Sequence, residues 1–150
     1  MESKNSFLSA YQISSLSISV LMLFMGGMLY LLFRDDSLLM FEWVRSVGLG
    51  NSLNYARDNT SWLFISDWIK YSLPDGLWCA SYILLMATIW SNKKFLIRLI
   101  WTISLPCVAV ITELLQLFGF LIGTYDSYDL ICYIIPILIY IGYEYIKRWQ

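Results

Sequence analysis

The sequence predicts an all-α fold: an integral membrane four-helix bundle, with interfacial helices in the long connection between the first and second helices. Three observations carry this expectation. Hydrophobic residues make up 59% of the 150-residue chain and charged residues 14%, against roughly 45–50% and 25% in soluble domains. The charges are missing from long runs, so the apolar residues collect into segments of membrane-crossing length. One long stretch between two such segments mixes charge with bulky aromatic groups, which is the composition of helices lying in the interface. A water-soluble chain of this length has too little interior to hide so much apolar surface. No linker, repeat or low-complexity tract divides the chain, so 1–150 reads as a single membrane domain.

The first helix is expected over 13–33, because no charge falls between Lys4 and Arg34. At about 1.5 Å per residue it crosses a hydrocarbon core of about 30 Å. No small-residue cleavage pattern follows it, so it reads as an uncleaved anchor. The second is expected over 74–92. Pro74 just inside its start and Asp75 in its first turn are N-terminal signals, and the pair Lys93–Lys94 follows its end. The third, over 97–122, carries one acid, Glu113, and Pro106, which should kink it. The fourth, over 129–146, contains Pro136 and is short for a span. The connection, 34–72, would fold into one or two helices at the membrane surface that bury Phe41, Trp62 and Trp68.

Orientation follows from where Lys and Arg fall. Lys4, the group Lys93, Lys94 and Arg98, and the pair Lys147 and Arg148 would share one side, with Arg34, Arg45, Arg57 and Lys70 on the other. Short connections decide, which predicts a multi-pass membrane protein with both termini cytoplasmic.

Several function classes drop out. A net charge of −1 offers no general attraction for nucleic acid. The absence of histidine removes the imidazole bases and the commonest zinc ligand, and no motif calls for a metal or another cofactor. Cys79, Cys107 and Cys132 are an odd set in apolar runs and read as buried free thiols. No Gly-rich phosphate loop or nucleophile elbow is present, which leaves an enzyme as the third choice. Aromatic residues near helix ends, among them Trp78, Trp90, Tyr125, Tyr140, Tyr143, Tyr145 and Trp149, read as an interfacial belt. Gly26–Gly27 alone is a weak packing signal.

The acids carry more information. Asp75, Asp126 and Asp129 all fall at one end of the bundle. Glu113 and Gln116 share a helix face, and counting back from Ile122 puts Glu113 about 13 Å below the end of its helix. A carboxylate at that depth costs several kcal/mol unless neutralised or paired. Each acid also has an ordinary reading. Asp126 and Asp129 could be an N-cap and a first-turn acid, Asp75 could sit at the positive end of its helix dipole, and Glu113 could be a hydrogen-bonded core group.

The order Asp75 with Ser81–Tyr82 following, then Thr112-Glu113-Leu114-Leu115-Gln116-Leu117-Phe118, then Gly123-Thr124-Tyr125-Asp126-Ser127-Tyr128-Asp129-Leu130, resembles the VanZ-like membrane proteins. The resemblance covers about the C-terminal half. It implies a small helical envelope protein, in a family of which some members are associated with resistance to glycopeptide antibiotics.

Two function classes follow. In the first, Asp75, Glu113, Gln116, Asp126 and Asp129 form a polar pocket that binds an envelope lipid headgroup or a cation. In the second, the chain assembles as a homo-oligomeric channel or a membrane-disrupting effector, for example in bacterial anti-phage defence. In both, the lipid bilayer is the immediate partner.

Overall fold

The computed structural model describes residues 9–149; Lys4 and the side chain of Arg148, both used in the orientation argument, lie outside the described residues. Among the described residues there are seven helices and no strand. They are α1 (Ala10–Phe33), α2 (Leu39–Ser46), α3 (Gly50–Thr60), α4 (Asp67–Tyr71), α5 (Leu73–Ile89), α6 (Phe95–Leu117) and α7 (Ser127–Arg148).

By length and composition α1, α6 and α7 are three candidate membrane spans. The expected fourth span, α5, has 17 residues, about 26 Å of helix. The shortest long helix is therefore the second of the four, not the last as expected. α7 reaches 22 residues because Asp126 caps it from outside, its side chain accepting from the Tyr128 N–H. α1 starts three residues earlier than expected, on a capping box in which Ser9 and Gln12 bond each other's backbone.

The largest correction is the end of α6. It stops at Leu117, five residues short of Ile122, because Gly119 takes φ +73° and closes a Schellman motif. There Gly119 N–H donates to the Gln116 carbonyl and Phe120 N–H to the Leu115 carbonyl. Glu113 is thus about 6 Å from the end of its helix, not 13 Å.

α5 sits centrally, packed on α1, α6 and α7, while α6 also packs on α7. The interior is more polar than a soluble bundle's. Ser15, Ser19, Ser81, Thr88, Thr102, Glu113 and Glu144 are buried, while Val20, Phe24, Leu138 and Ile139 face outward. Water-filled surroundings would reverse that distribution, whereas hydrocarbon permits it. The α1–α5 seam shows how. Ser19 Oγ donates to the Ser81 carbonyl at 2.9 Å, Ser81 Oγ returns a bond to the Ser19 carbonyl at 2.8 Å, and Thr88 Oγ1 donates to Ser15 Oγ at 2.8 Å. Small residues let the two backbones approach, and the hydroxyls bond where no water competes.

Trp78 belongs to this seam rather than to an interfacial belt. Its ring packs over Gly26, and Nε1 donates to the Leu23 carbonyl at 3.2 Å. Tyr140, also assigned to the belt, is buried. The three cysteines are free, with Cys79 buried and the other two part-buried.

At the bundle end opposite the acids, Arg98 and Glu144 form a buried ion pair between α6 and α7. Arg98 Nη1 also donates to the Ser91 carbonyl, and Gln12 Nε2 donates to Ser91 Oγ at 3.1 Å. Tyr11 and Tyr143 hydroxyls meet at 3.2 Å. These contacts tie α1, the α5–α6 turn, α6 and α7 together.

The connection holds three short helices, one more than the upper expectation. The polar segment 51–61 is mostly α3. Arg57 on α3 explains its position: Nη1 donates to the carbonyls of Leu31 and Arg34 at 2.8 and 3.0 Å, satisfying the free end of α1. Its guanidinium also lies over the buried Phe41 ring of α2. Trp62 and Phe64 remain exposed beyond α3.

Candidate functional site

The acid-bearing end is assembled from four elements. α1 delivers Arg34 at its C-cap, the α4–α5 junction delivers Ser72, α5 opens with Asp75, α6 closes with Glu113, and α7 opens with Asp126 and Asp129. Three helix ends and a cap therefore bring distant acids together. Asp75 lies within electrostatic range of both Asp129 and Glu113.

Glu113 is 7% exposed, and its Oε2 accepts from the Asp126 backbone N–H at 3.3 Å. That bond ties the end of α6 to the start of α7. Asp126 spends Oδ1 on the Tyr128 N–H at 2.8 Å, so the ordinary capping reading of its side chain holds. Asp129 lies in the first turn of α7, with its Oδ1 buried.

Ser72 is fully buried, and its hydroxyl faces the Asp129 carboxyl as a donor. Tyr133 faces Asp75. Arg34 supplies the cation: Nη2 donates to the Tyr71 carbonyl at 2.8 Å and lies 3.7 Å from Asp75 Oδ2. Its guanidinium is sandwiched between Tyr30 and Tyr71, 5.3 and 5.1 Å from the ring centres. Arg34 Nε is buried without a partner. A buried unpaired polar atom costs about 1–3 kcal/mol.

Of the five expected site residues, Asp75, Glu113, Asp126 and Asp129 lie together at this end, while Gln116 lies against Gly123, where an added Cβ would come within 2.8 Å of its amide. Gly123 also has φ +148°, which excludes most side chains. Gln116 thus shapes the α6–α7 turn. Arg34, Ser72 and Tyr133 were not anticipated. Arg34 had been read only as one of four charges in the long connection, although its place at the end of the first apolar run put it at the same membrane face as Asp75.

Asp35 and Ser37 next to Arg34 stand apart from this cluster. The Ser37 hydroxyl and then its N–H hold the Asp35 carboxyl below the usual carboxylate range, fully in solvent. Among the described residues no group of three or more acids, thiols or imidazoles is arranged to hold a metal ion.

Comparison with protein-family models, with curated proteins and with solved structures finds no match to this chain.

Proposed function

We propose that the chain is a VanZ-like protein of the bacterial cytoplasmic membrane whose α5, α6 and α7 ends form an acidic site for the amine-bearing headgroup of an envelope lipid. The observation that carries this reading is charge imbalance at one place. Asp75, Glu113, Asp126 and Asp129 meet a single guanidinium, Arg34, whose Nε is buried without a hydrogen-bond partner. Such an arrangement is costly when empty and favours a donor-rich ligand. The motif order from Asp75 to Asp129 supports the family reading, and α5 crosses the bilayer as a fourth, short span held by α1, α6 and α7.

In this reading α2 and the exposed Trp62 and Phe64 lie on the outer membrane surface, flanking the site. The homo-oligomeric channel finds less support, because the carboxyl groups turn into the interior of one bundle and not along an outward stripe. A link to envelope stress or glycopeptide resistance follows from the resemblance.

The test uses the full chain in detergent and the chain-free headgroups glycerophosphoethanolamine and glycerophosphoglycerol, titrated by calorimetry. The amine headgroup should bind at the higher affinity, and Asp129→Asn should remove the preference. Equal or absent binding of both headgroups overturns the assignment.

A further inference from the structure

The three long helices around α5 leave one face of it uncovered. α5 packs on α1 and on α7, and those two meet at the Tyr11–Tyr143 hydroxyl pair. Between them runs a groove of about 520 Å³ with α5 as its floor, from Leu73 to Leu84. Met22 of α1 and Ile139 of α7 form its walls, and Trp68 of α4 closes one end. The hydrogen-bonded Tyr11 and Tyr143 hydroxyls close the other. At 1.5 Å per residue the floor is about 16 Å long, close to one leaflet of a hydrocarbon core of about 30 Å. The apolar patch of Leu16, Val20 and Phe24 on α1 draws on that single helix and has no such walls.

The groove begins at the acid-bearing end. Leu73 follows Ser72, Gly76 follows Asp75, and Cys132 of the groove lies one turn below Asp129. An apolar slot of leaflet depth therefore opens beside a cluster whose carboxyl groups outnumber its one cation. We infer that the groove holds one acyl chain of a phospholipid whose headgroup carries a primary amine, with that amine against Asp75 and Asp129. The headgroup half rests on the acidic-site reading; the chain half does not.

The experiment uses the full chain in bilayers containing a phosphatidylethanolamine with a photoreactive diazirine near the end of one acyl chain. Labelling per residue should be higher over 77–84 and 135–143 than at Leu16, Val20 and Phe24, which face bulk lipid and meet the probe only as bulk lipid does. In detergent, native mass spectrometry should show one retained phosphatidylethanolamine, reduced about tenfold, the effect of about 1.4 kcal/mol, by Ala80→Phe on the floor or Ile139→Trp on a wall. Two variants on different helices guard against one that fails to fold. Labelling spread evenly over α1 and the groove, or occupancy unchanged in both variants, overturns the chain assignment. Phosphatidylglycerol of the same chains should be retained less well than phosphatidylethanolamine, and Asp129→Asn should level the two. Groove-confined labelling with equal retention of both lipids in the wild type overturns the amine assignment and the acidic-site reading together, separately from the groove.

Discussion

Glu113 Oε2 accepts a hydrogen bond from the backbone N–H of Asp126 at 3.3 Å, across the turn that joins α6 to α7. One carboxyl group therefore has two roles. It fixes the start of α7, and with it the placement of Asp129, and it adds a further carboxyl group to the cluster that Asp75 and Asp129 complete.

The two roles separate on substitution. Glu113→Gln retains an acceptor for the Asp126 N–H and should melt in detergent close to the wild type. Glu113→Ala leaves that part-buried N–H unpaired, at a cost of about 1–3 kcal/mol. Both should lower affinity for an amine headgroup. A Glu113→Gln variant that binds the amine as tightly as the wild type would reduce Glu113 to a hinge between helices.

The opposite end of the bundle offers a test that is independent of the site. Glu144 and Arg98 side chains are 7% and 14% exposed, so removing one partner strands a buried charge. Glu144→Gln should cost about 3–5 kcal/mol, while the apolar double variant Arg98→Met with Glu144→Leu should recover most of it. Thermal unfolding in detergent measures both. Additive losses in the double variant would show that the two side chains act separately.

The long apolar helices and the helix-end positions of the acids were legible in the sequence because they rest on charge-free runs and on Pro74, Asp75 and Asp126 as start signals. Two kinds of information were not. The end of α6 was written in Gly119, a C-terminal stop that the unbroken apolar run 118–122 masked. The partners of the acids came from residues far away in the chain, Arg34 from α1 and Ser72 from before α5, and no spacing rule links them to Asp75 or Asp129. The same holds for Arg98 and Glu144, 46 positions apart. The polar composition of α3 hid a helix whose purpose, to present Arg57 to the carbonyl end of α1, depends on tertiary contact.

Gly26 and Gly27 looked alike in sequence and differ in the fold. A Cβ on Gly26 would sit 2.6 Å from Trp78 Nε1 and 3.0 Å from the Pro74 carbonyl oxygen, whereas one on Gly27 meets only Met40 Cε at 3.8 Å. Gly26→Ala should push Trp78 off the Leu23 carbonyl and destabilise the bundle by about 1–3 kcal/mol. Gly27→Ala should be neutral or slightly stabilising, because alanine is the better helix former. Thermal unfolding combined with the tryptophan emission maximum reads both effects. Equal costs at the two positions would mean that the α1–α5 seam tolerates a wider separation than the hydrogen bonds of Ser19 and Ser81 suggest.

The last prediction concerns orientation. The Tyr11–Tyr143 hydrogen bond puts the start of α1 and the end of α7 at the same end of the bundle, and the acids occupy the other. Lys93, Lys94 and Lys147 belong to the first end. At the acid-bearing end the competing cations are engaged locally: Arg34 with Asp75, Arg45 with Asp36, Lys70 with Asp67, and Arg57 with two backbone carbonyls. Basic residues in short connections and tails govern insertion more than those in a long folded connection, so the first end should be cytoplasmic. Reporter fusions after residue 55 and after residue 150 should accordingly give opposite signals, the former external and the latter internal. An external signal from the residue 150 fusion would turn the acids toward the cytoplasm, and an envelope lipid of the outer leaflet could no longer be the ligand.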